Sequence, residues 1–367
     1  MSAEISDGAH MARALQLAAR GLTTTDPNPR VGCVIVAGGE VVGEGWHRSA
    51  GEAHAEAIAL DQARDRAAGS TVYVTLEPCC HEGRTPPCIN RLVQARVSRV
   101  VYAADDPNPA VAGKSRERLR VAGVDVEPGL METESRLLNP GFFSRMIRNR
   151  PWVRSKLAVS VDGRTALANG ESKWISSEAA RSDVQRWRAR STAILTGAGT
   201  VIADDPSLNV RDPRLSDAIQ PIRVIVDSHL RMSPDARVLS VPGETRVFYC
   251  DASDKIAGEL ADAGALVEKL PASDGRVALE AVMYRLSQME VNELMVEAGP
   301  TLNGALIEAG LIDECLLYIA SHILGTGARG MFDISALNKM SDRMELKLID
   351  VRQVGDDLRL RYGAMAE

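Results

Sequence analysis

The 367-residue chain contains no run of about eighteen apolar residues, so no membrane-spanning helix is expected. It also lacks a basic surplus: residues 1–150 carry 18 Lys+Arg against 18 Asp+Glu, and the remainder carries 25 against 31. A protein that tracks a phosphate backbone needs the opposite balance, so no nucleic-acid partner is expected. The opening MSAEISDGAHMARALQLAARGL has no basic segment leading into an apolar core, and Glu4 and Asp7 speak against an organelle transit peptide. Cysteine is sparse. Of six, Cys33, Cys250 and Cys315 are scattered in apolar runs, unlike a disulfide framework. These absences predict a reduced, cytoplasmic protein that acts on a small molecule.

What is present is alternation. Hydrophobic residues make up 45% and charged residues 25%, the balance of a folded globular protein. The length exceeds one typical core and predicts two domains. VGCVIVA and EVVGEGW flank Gly38-Gly39 as a hairpin, followed by a helix from about His54 to Ala67 and the strand STVYVTLE. PPCINRLVQAR reads as a helix, SRVVYAADD and VDVEP as further strands. Pro, Gly and basic residues break the pattern over 139–151, and a fresh strand begins at Trp152. STAILTG, PIRVIVD, TRVFYCD, ELMVEAG and ECLLYIA are strands of the second half. The expectation is two α/β domains with parallel or mixed sheets, residues 1–148 and 149–367.

Three cysteines crowd into LEPCCHEGRTPPC, residues 76–88, about twenty positions after GEAHAEAIAL. His54, Cys79 and Cys88 would fill three tetrahedral positions of Zn²⁺ and leave the fourth for water, the open arrangement of a catalytic site. Glu56, not itself a ligand, could pass that water's proton to a leaving amine. Residues two apart do not share a helix face, so His54 and Glu56 are expected in the first turn, leaning over the helix end. Thr85 is the expected N-cap and Pro86 the first residue of the helix that presents Cys88. A structural zinc site would need a fourth ligand, available from Cys80 or His81, but it would leave Glu56 without a purpose. Cys80 is read as incidental, and Cys33, Cys250 and Cys315 as core. His10, His229 and His322 receive no role.

H-x-E followed by P-C and a further Cys is the pattern of zinc nucleobase deaminases, here with eight residues rather than two between the cysteines. PCCHEGRTPPC, with TDPNPRVGCVIV, GWHRSAGEAHAE and DDPNPAVAGK, resembles the pyrimidine deaminases of riboflavin biosynthesis. The second half resembles the reductases of the same bifunctional family, through KLAVSVDGRTALANGESKWISS, AILTGAGTVIADDPSLNVR and ELMVEAGPTLNGALIEAGLIDE. The resemblance implies an N-terminal cytidine-deaminase-like α/β/α domain and a C-terminal dihydrofolate-reductase-like α/β domain. The implied activity is zinc-dependent deamination of 2,5-diamino-6-ribosylamino-4(3H)-pyrimidinone 5′-phosphate. NADPH-dependent reduction of the ribosyl to a ribityl chain would follow.

Residue roles carry over in the same spirit. Asn28 would hold the pyrimidine edge, with His47, Arg84 and Thr85 nearby. Ser172, Arg188, Leu208, Arg211 and Glu297 would bind the reductase substrate. Ala158, Trp174, Thr200, Asp204 and Ser228 would bind the cofactor, with the turn of Gly299, Pro300, Thr301, Leu302, Asn303, Gly304 and Ala305. Backbone N–H groups at such a helix start suit a pyrophosphate. Trp174 offers a flat face to a cofactor ring, or else is simply core. Asp204 and Lys156 are the candidate acids for opening the sugar ring. The resemblance also implies a homodimer. Two rival readings are a zinc deaminase of RNA bases with an unrelated second domain, and a non-catalytic zinc-stabilised nucleotide-binding module. The first lacks a basic groove; the second leaves a full set of substrate-type residues idle.

Overall fold

Gly38 and Gly39 have φ of +58° and +83°, the left-handed pair that a tight hairpin demands. They join β1 (Gly32–Ala37) to β2 (Glu40–Trp46) in antiparallel register, with Gly32 opposite Trp46 and Ala37 opposite Glu40. The computed structural model describes residues 6–80, 87–109 and 111–364. The chain divides into two units, Met1–Arg148 and Asn149–Glu367.

In the first unit, β3 (Thr71–Leu76) pairs antiparallel with β1, and β4 (Arg99–Ala104) and β5 (Asp125–Pro128) continue in parallel. The sheet order is β2-β1-β3-β4-β5. Alternate residues of β1 face opposite ways, as strand geometry requires. Cys33 and Ile35 pack with Ala55 and Ala59 of helix α2 (Ala55–Ala63), whereas Val34 packs with Met11, Ala14 and Leu17. These last belong to α1 (Asp7–Ala18) on the other face, so the unit is an α/β/α sandwich. Helix α2 lies close on β2 because Gly43 and Gly45 have no side chain. A Cβ at either would meet the carbonyl oxygen of Ala59 or Ala55 at 2.2 Å. α3 (Cys88–Gln94), α4 (Lys114–Val121), α5 (Glu132–Leu138) and α6 (Pro140–Arg148) complete it.

The second unit opens with β6 (Trp152–Ser160) and β7 (Arg164–Ala166), then α7 (Glu178–Arg190), β8 (Ala193–Gly197) and α8 (Ala198–Asp204). β9 (Ile222–Val226), α9 (Arg237–Ser240), β10 (Thr245–Tyr249), α10 (Asp254–Asp262) and β11 (Leu266–Lys269) follow. After a small hairpin of β12 (Ala272–Ser273) and β13 (Arg276–Val277) come α11 (Leu279–Gln288), β14 (Glu293–Val296), α12 (Pro300–Glu308) and β15 (Glu314–Ala320). β16 (Arg329–Gly330), β17 (Leu346–Val354) and β18 (Asp357–Ala364) end the chain.

The main sheet has nine strands in the order β11-β10-β9-β8-β14-β6-β15-β18-β17. β11 through β15 are parallel, and β18 and β17 close the edge antiparallel. Six of the first seven, β10, β9, β8, β14, β6 and β15, are strands expected from the sequence; β11 and the β17–β18 hairpin are not. β17 carries exposed Leu348, Ile349 and Val351 on this edge.

Arg154 of β6 is fully buried between two carboxylates, 3.0 Å from Glu293 and 3.1 Å from Glu314. Arg190 and Arg361 neutralise the same acids at 2.8 and 2.7 Å, so no carboxylate here is buried without a cation. Among the described residues, no helix is long and apolar enough to cross a membrane.

Candidate functional site

His54 is the N-cap of α2, with extended backbone, and Glu56 lies in the helix's first turn. Cys79 follows β3, at the C-terminal end of a strand parallel to β4. Cys88 is the first residue of α3. The expected capping of α3 needs correction. Its N-cap is Pro87 rather than Thr85, and the helix begins at Cys88. Pro87 suits that place because its ring fixes φ and it has no N–H to leave unpaired, while Pro86 lies outside the described residues. Arg84, Thr85 and His81 lie outside the described residues.

These three segments bring His54 Nδ1, Cys79 Sγ and Cys88 Sγ within 4.8 Å of one another. Nδ1 is 3.2 Å from Cys88 Sγ and 3.5 Å from Cys79 Sγ, and the Cys88 N–H donates to Cys79 Sγ at 3.3 Å. The hydrogen bond from Cys88, joined by that of His54, brings the Cys79 thiol down to about 4. Its partner Cys88 is pushed up, first by the hydrogen bond to Cys79 and then by burial. Two sulfurs and an imidazole gathered in this way are donors suited to a borderline-soft divalent cation, whose binding displaces their protons. The donor set therefore fits zinc. Cys80 does not join it: its thiol packs in the apolar core and faces the Val111 carbonyl.

Glu56 is buried, 4% exposed, and its carboxyl meets the Cys88 thiol. Burial, reinforced by the Cys79 thiolate, raises its pKa. Such a carboxyl takes up and releases a proton more readily near neutrality than an exposed one. Asn28 and His47 stand beside this group, the His47 and His54 rings edge to face at 5.4 Å. Glu77, two residues before Cys79, accepts the N–H groups of Asp106, Gly113 and Ser115. It thereby ties the segment that carries Cys79 to β4 and α4.

The second unit holds a cleft of about 1490 Å³ at the C-terminal ends of β8, β9 and β14, where parallel sheets receive their ligands. Lys156 and Ala158 of β6 line it, as do Ser172, Trp174, Arg188, Thr200, Asp204, Arg211, Ser228 and Glu297. Gly299, Pro300, Thr301, Leu302 and Ala305 complete the wall from the start of α12. Trp174 is 70% exposed, with the Arg181 guanidinium 4.4 Å from its ring centre, so it is not core.

Three predicted residues do not line the cleft. Leu208 is buried in the apolar cluster with Val184 and Val201. Asn303 points inward, accepting from Ser155 Oγ at 2.6 Å and donating to the Ala298 carbonyl at 2.7 Å. It braces the turn rather than forming its surface. Gly304 backs onto Asp333, whose carbonyl oxygen a Cβ would meet at 2.0 Å.

Arg188 is already engaged: two nitrogens bind Glu297 at 2.6 and 2.9 Å, and the third donates to the Asn209 carbonyl. Burial works against charge on Glu297, yet Arg188 holds its pKa below the usual value. Burial lowers the pKa of Lys156, with Glu297 opposing the shift and Arg188 adding to it. Arg211 makes no ion pair among the described residues. His229, Arg231, Arg237 and Arg276 also line the cleft. Sequence reading gave them no role. His229 and Arg231 closely follow β9, and position after a parallel strand end is the signal that could have marked them.

Residues 5–104 match the cytidine and deoxycytidylate deaminase zinc-binding region, and residues 151–360 match the RibD C-terminal domain. The chain is 47% identical to the riboflavin biosynthesis protein RibD of Escherichia coli strain K12, over 97% of this chain and 99% of that protein. It superposes on the structure of Acinetobacter baumannii RibD with a TM-score of 0.91 at 45% identity, covering 98% of this chain and 99% of that one. The diaminohydroxyphosphoribosylaminopyrimidine deaminase/5-amino-6-(5-phosphoribosylamino)uracil reductase of Thermotoga maritima gives 0.84 at 30% identity, with 98% of both chains covered.

Proposed function

The chain belongs to the RibD family of bifunctional riboflavin-biosynthesis enzymes, and on that premise we propose how its residues divide the work. Residues 1–148 carry out the deamination of 2,5-diamino-6-ribosylamino-4(3H)-pyrimidinone 5′-phosphate, and residues 149–367 carry out the reduction that follows. The observation that carries this reading is the meeting of His54, Cys79 and Cys88 within 4.8 Å, beside buried Glu56.

His54, Cys79 and Cys88 hold zinc, which when bound makes a water acidic enough to act as a nucleophile near neutral pH. Glu56 takes the proton of that water on its carboxylate and delivers it to the amine that leaves as ammonia. Burial suits it to this duty by raising its pKa towards the working range. Asn28 holds the pyrimidine edge.

In the second unit, NADPH, when bound, supplies the hydride. The turn from Gly299 to Ala305, with Thr200, Ser228 and Trp174, binds it. A closed sugar ring offers no electrophilic carbon, so the ring oxygen must be protonated first. Lys156 and Asp204 are the groups placed in the cleft to hold that proton. Arg211, which makes no ion pair among the described residues, binds the substrate phosphate, whereas Arg188 holds Glu297 in place. The six cysteines are free thiols, which suits a cytoplasmic location. A homodimer belongs to the same reading, supported by the apolar edge strand β17.

Mass spectrometry of the product formed from the diaminopyrimidinone substrate with NADPH tests the whole. Exchange of amine for carbonyl adds about one mass unit, and reduction about two more. A gain of both is expected from the single chain. A gain of the first alone would remove the reductase assignment, and no gain would remove the entire reading.

A further inference from the structure

His47 is 3% exposed and makes two side-chain hydrogen bonds with opposite demands. Its Nδ1 lies 3.2 Å from the Ala53 carbonyl oxygen, and its Nε2 lies 3.0 Å from Asn28 Nδ2. A carbonyl oxygen only accepts, so the ring proton sits on Nδ1. Nε2 then carries a lone pair, and only the NH₂ end of the Asn28 amide can face it. The reversed amide would set two acceptors, Asn28 Oδ1 and His47 Nε2, against each other.

The amide of Asn28 is thus held one way round. Its Oδ1 accepts no hydrogen bond from the described residues, and so it is the group left for a ligand. Asn28 is itself anchored, its N–H donating to the Thr25 carbonyl at 2.9 Å. We infer that His47 is a positioning residue that fixes the Asn28 amide with Oδ1 outward, so that the first unit selects a pyrimidine edge bearing an N–H donor. This deepens the reading of that unit as a deaminase and rests on it. His47 therefore acts on the substrate through Asn28 rather than by touching it. A heterocycle that presents an acceptor at that edge would meet a second acceptor and be rejected. An unpaired acceptor–acceptor contact in a confined site discriminates far more strongly than a lost methyl contact.

A double-mutant cycle on ammonia release tests this, using Asn28→Ala, His47→Ala and the double variant of the full-length protein. His47→Ala is expected to raise KM by about tenfold with kcat nearly unchanged, as for a lost orienting hydrogen bond. The double variant should be no worse than Asn28→Ala alone. His47→Gln, whose side-chain oxygen can accept from Asn28, should recover most of the loss. Zinc content, and NADPH oxidation on substrate already deaminated, should stay at wild-type levels in all of them. Should His47→Ala lose zinc, His47→Phe, which keeps the ring's bulk and lacks its acceptor nitrogen, replaces it in the cycle. If the single losses multiply in the double variant, His47 acts independently of Asn28 and the inference is overturned. If the wild type releases no ammonia, it is the deaminase reading that fails instead.

Discussion

Arg188 meets Glu297 through two parallel hydrogen bonds, Nε to Oε1 at 2.6 Å and Nη2 to Oε2 at 2.9 Å, in the wall of the second unit's cleft. A planar fork matches a carboxylate in this way, and a lysine ammonium cannot. Arg188→Lys should leave Glu297 half-satisfied and lower NADPH-dependent reduction by roughly tenfold or more. Ammonia release should be unchanged. Both rates can be followed on the same preparation.

Glu56→Gln keeps the shape of the side chain and removes its ability to carry a proton. Ammonia release should fall by at least about a hundredfold, the usual contribution of a general acid–base group. Zinc content should hold, because Glu56 is not among the converging donors. Reduction of substrate already deaminated should proceed at the wild-type rate. Ammonia released at an undiminished rate would remove Glu56 from the mechanism.

Stripping the metal with a chelator should separate the two activities. Deamination should disappear and return with added Zn²⁺, because His54, Cys79 and Cys88 are the only such donor cluster of the described residues. Reduction should persist, since no such cluster lines the second unit's cleft among those residues. Loss of both activities together would contradict the assignment.

Glu314 supplies a pH signature of stability. Burial acts against its charge, but Arg154 and Arg361 overcome that and bring its pKa down to about 2. A carboxyl depressed on folding contributes stability that is fully present above its unfolded pKa, about 4.3. The contribution is lost as pH falls from there through about 2. Glu314→Gln should cost about 3–5 kcal/mol at pH 7, the effect of stranding a buried Arg154 beside one acid fewer. The gap between variant and wild type should narrow as pH is lowered through that window. Urea unfolding at pH 7 and pH 3 would show it.

Sequence reading reached the parts of the fold that repeat locally. The β1–β2 hairpin announced itself through Gly38-Gly39, and the core strands through apolar runs of strand length. The convergence of His54, Cys79 and Cys88 was legible because metal-binding residue types are few and their chemistry is narrow. What was missed is tertiary. Arg154 sits in the strand WVRSKLAVS, and nothing local reveals that it is buried against acids 139 and 160 positions away. Asn303 sits in a turn most of whose other residues line the cleft, but helical geometry turns this position inward to Ser155. The exposed, charge-interrupted β17–β18 hairpin lacks the apolar run by which the buried strands were found. The start of α3 was expected two positions early, because either proline of Pro86-Pro87 can open a helix and the sequence does not choose between them.

The three converging donors His54, Cys79 and Cys88 come from segments far apart along the chain, His54 standing 34 residues before Cys88. A cation gripping all three is a cross-link that closes a loop containing α2 and β3. An unfolded chain loses conformational entropy when such a loop is closed, and binding energy at the donors becomes folding energy. A zinc ion held there would be a clasp as well as a reagent. The thermal endurance of the first unit should follow free zinc concentration, while the second unit, which holds none of these donors, unfolds on its own terms.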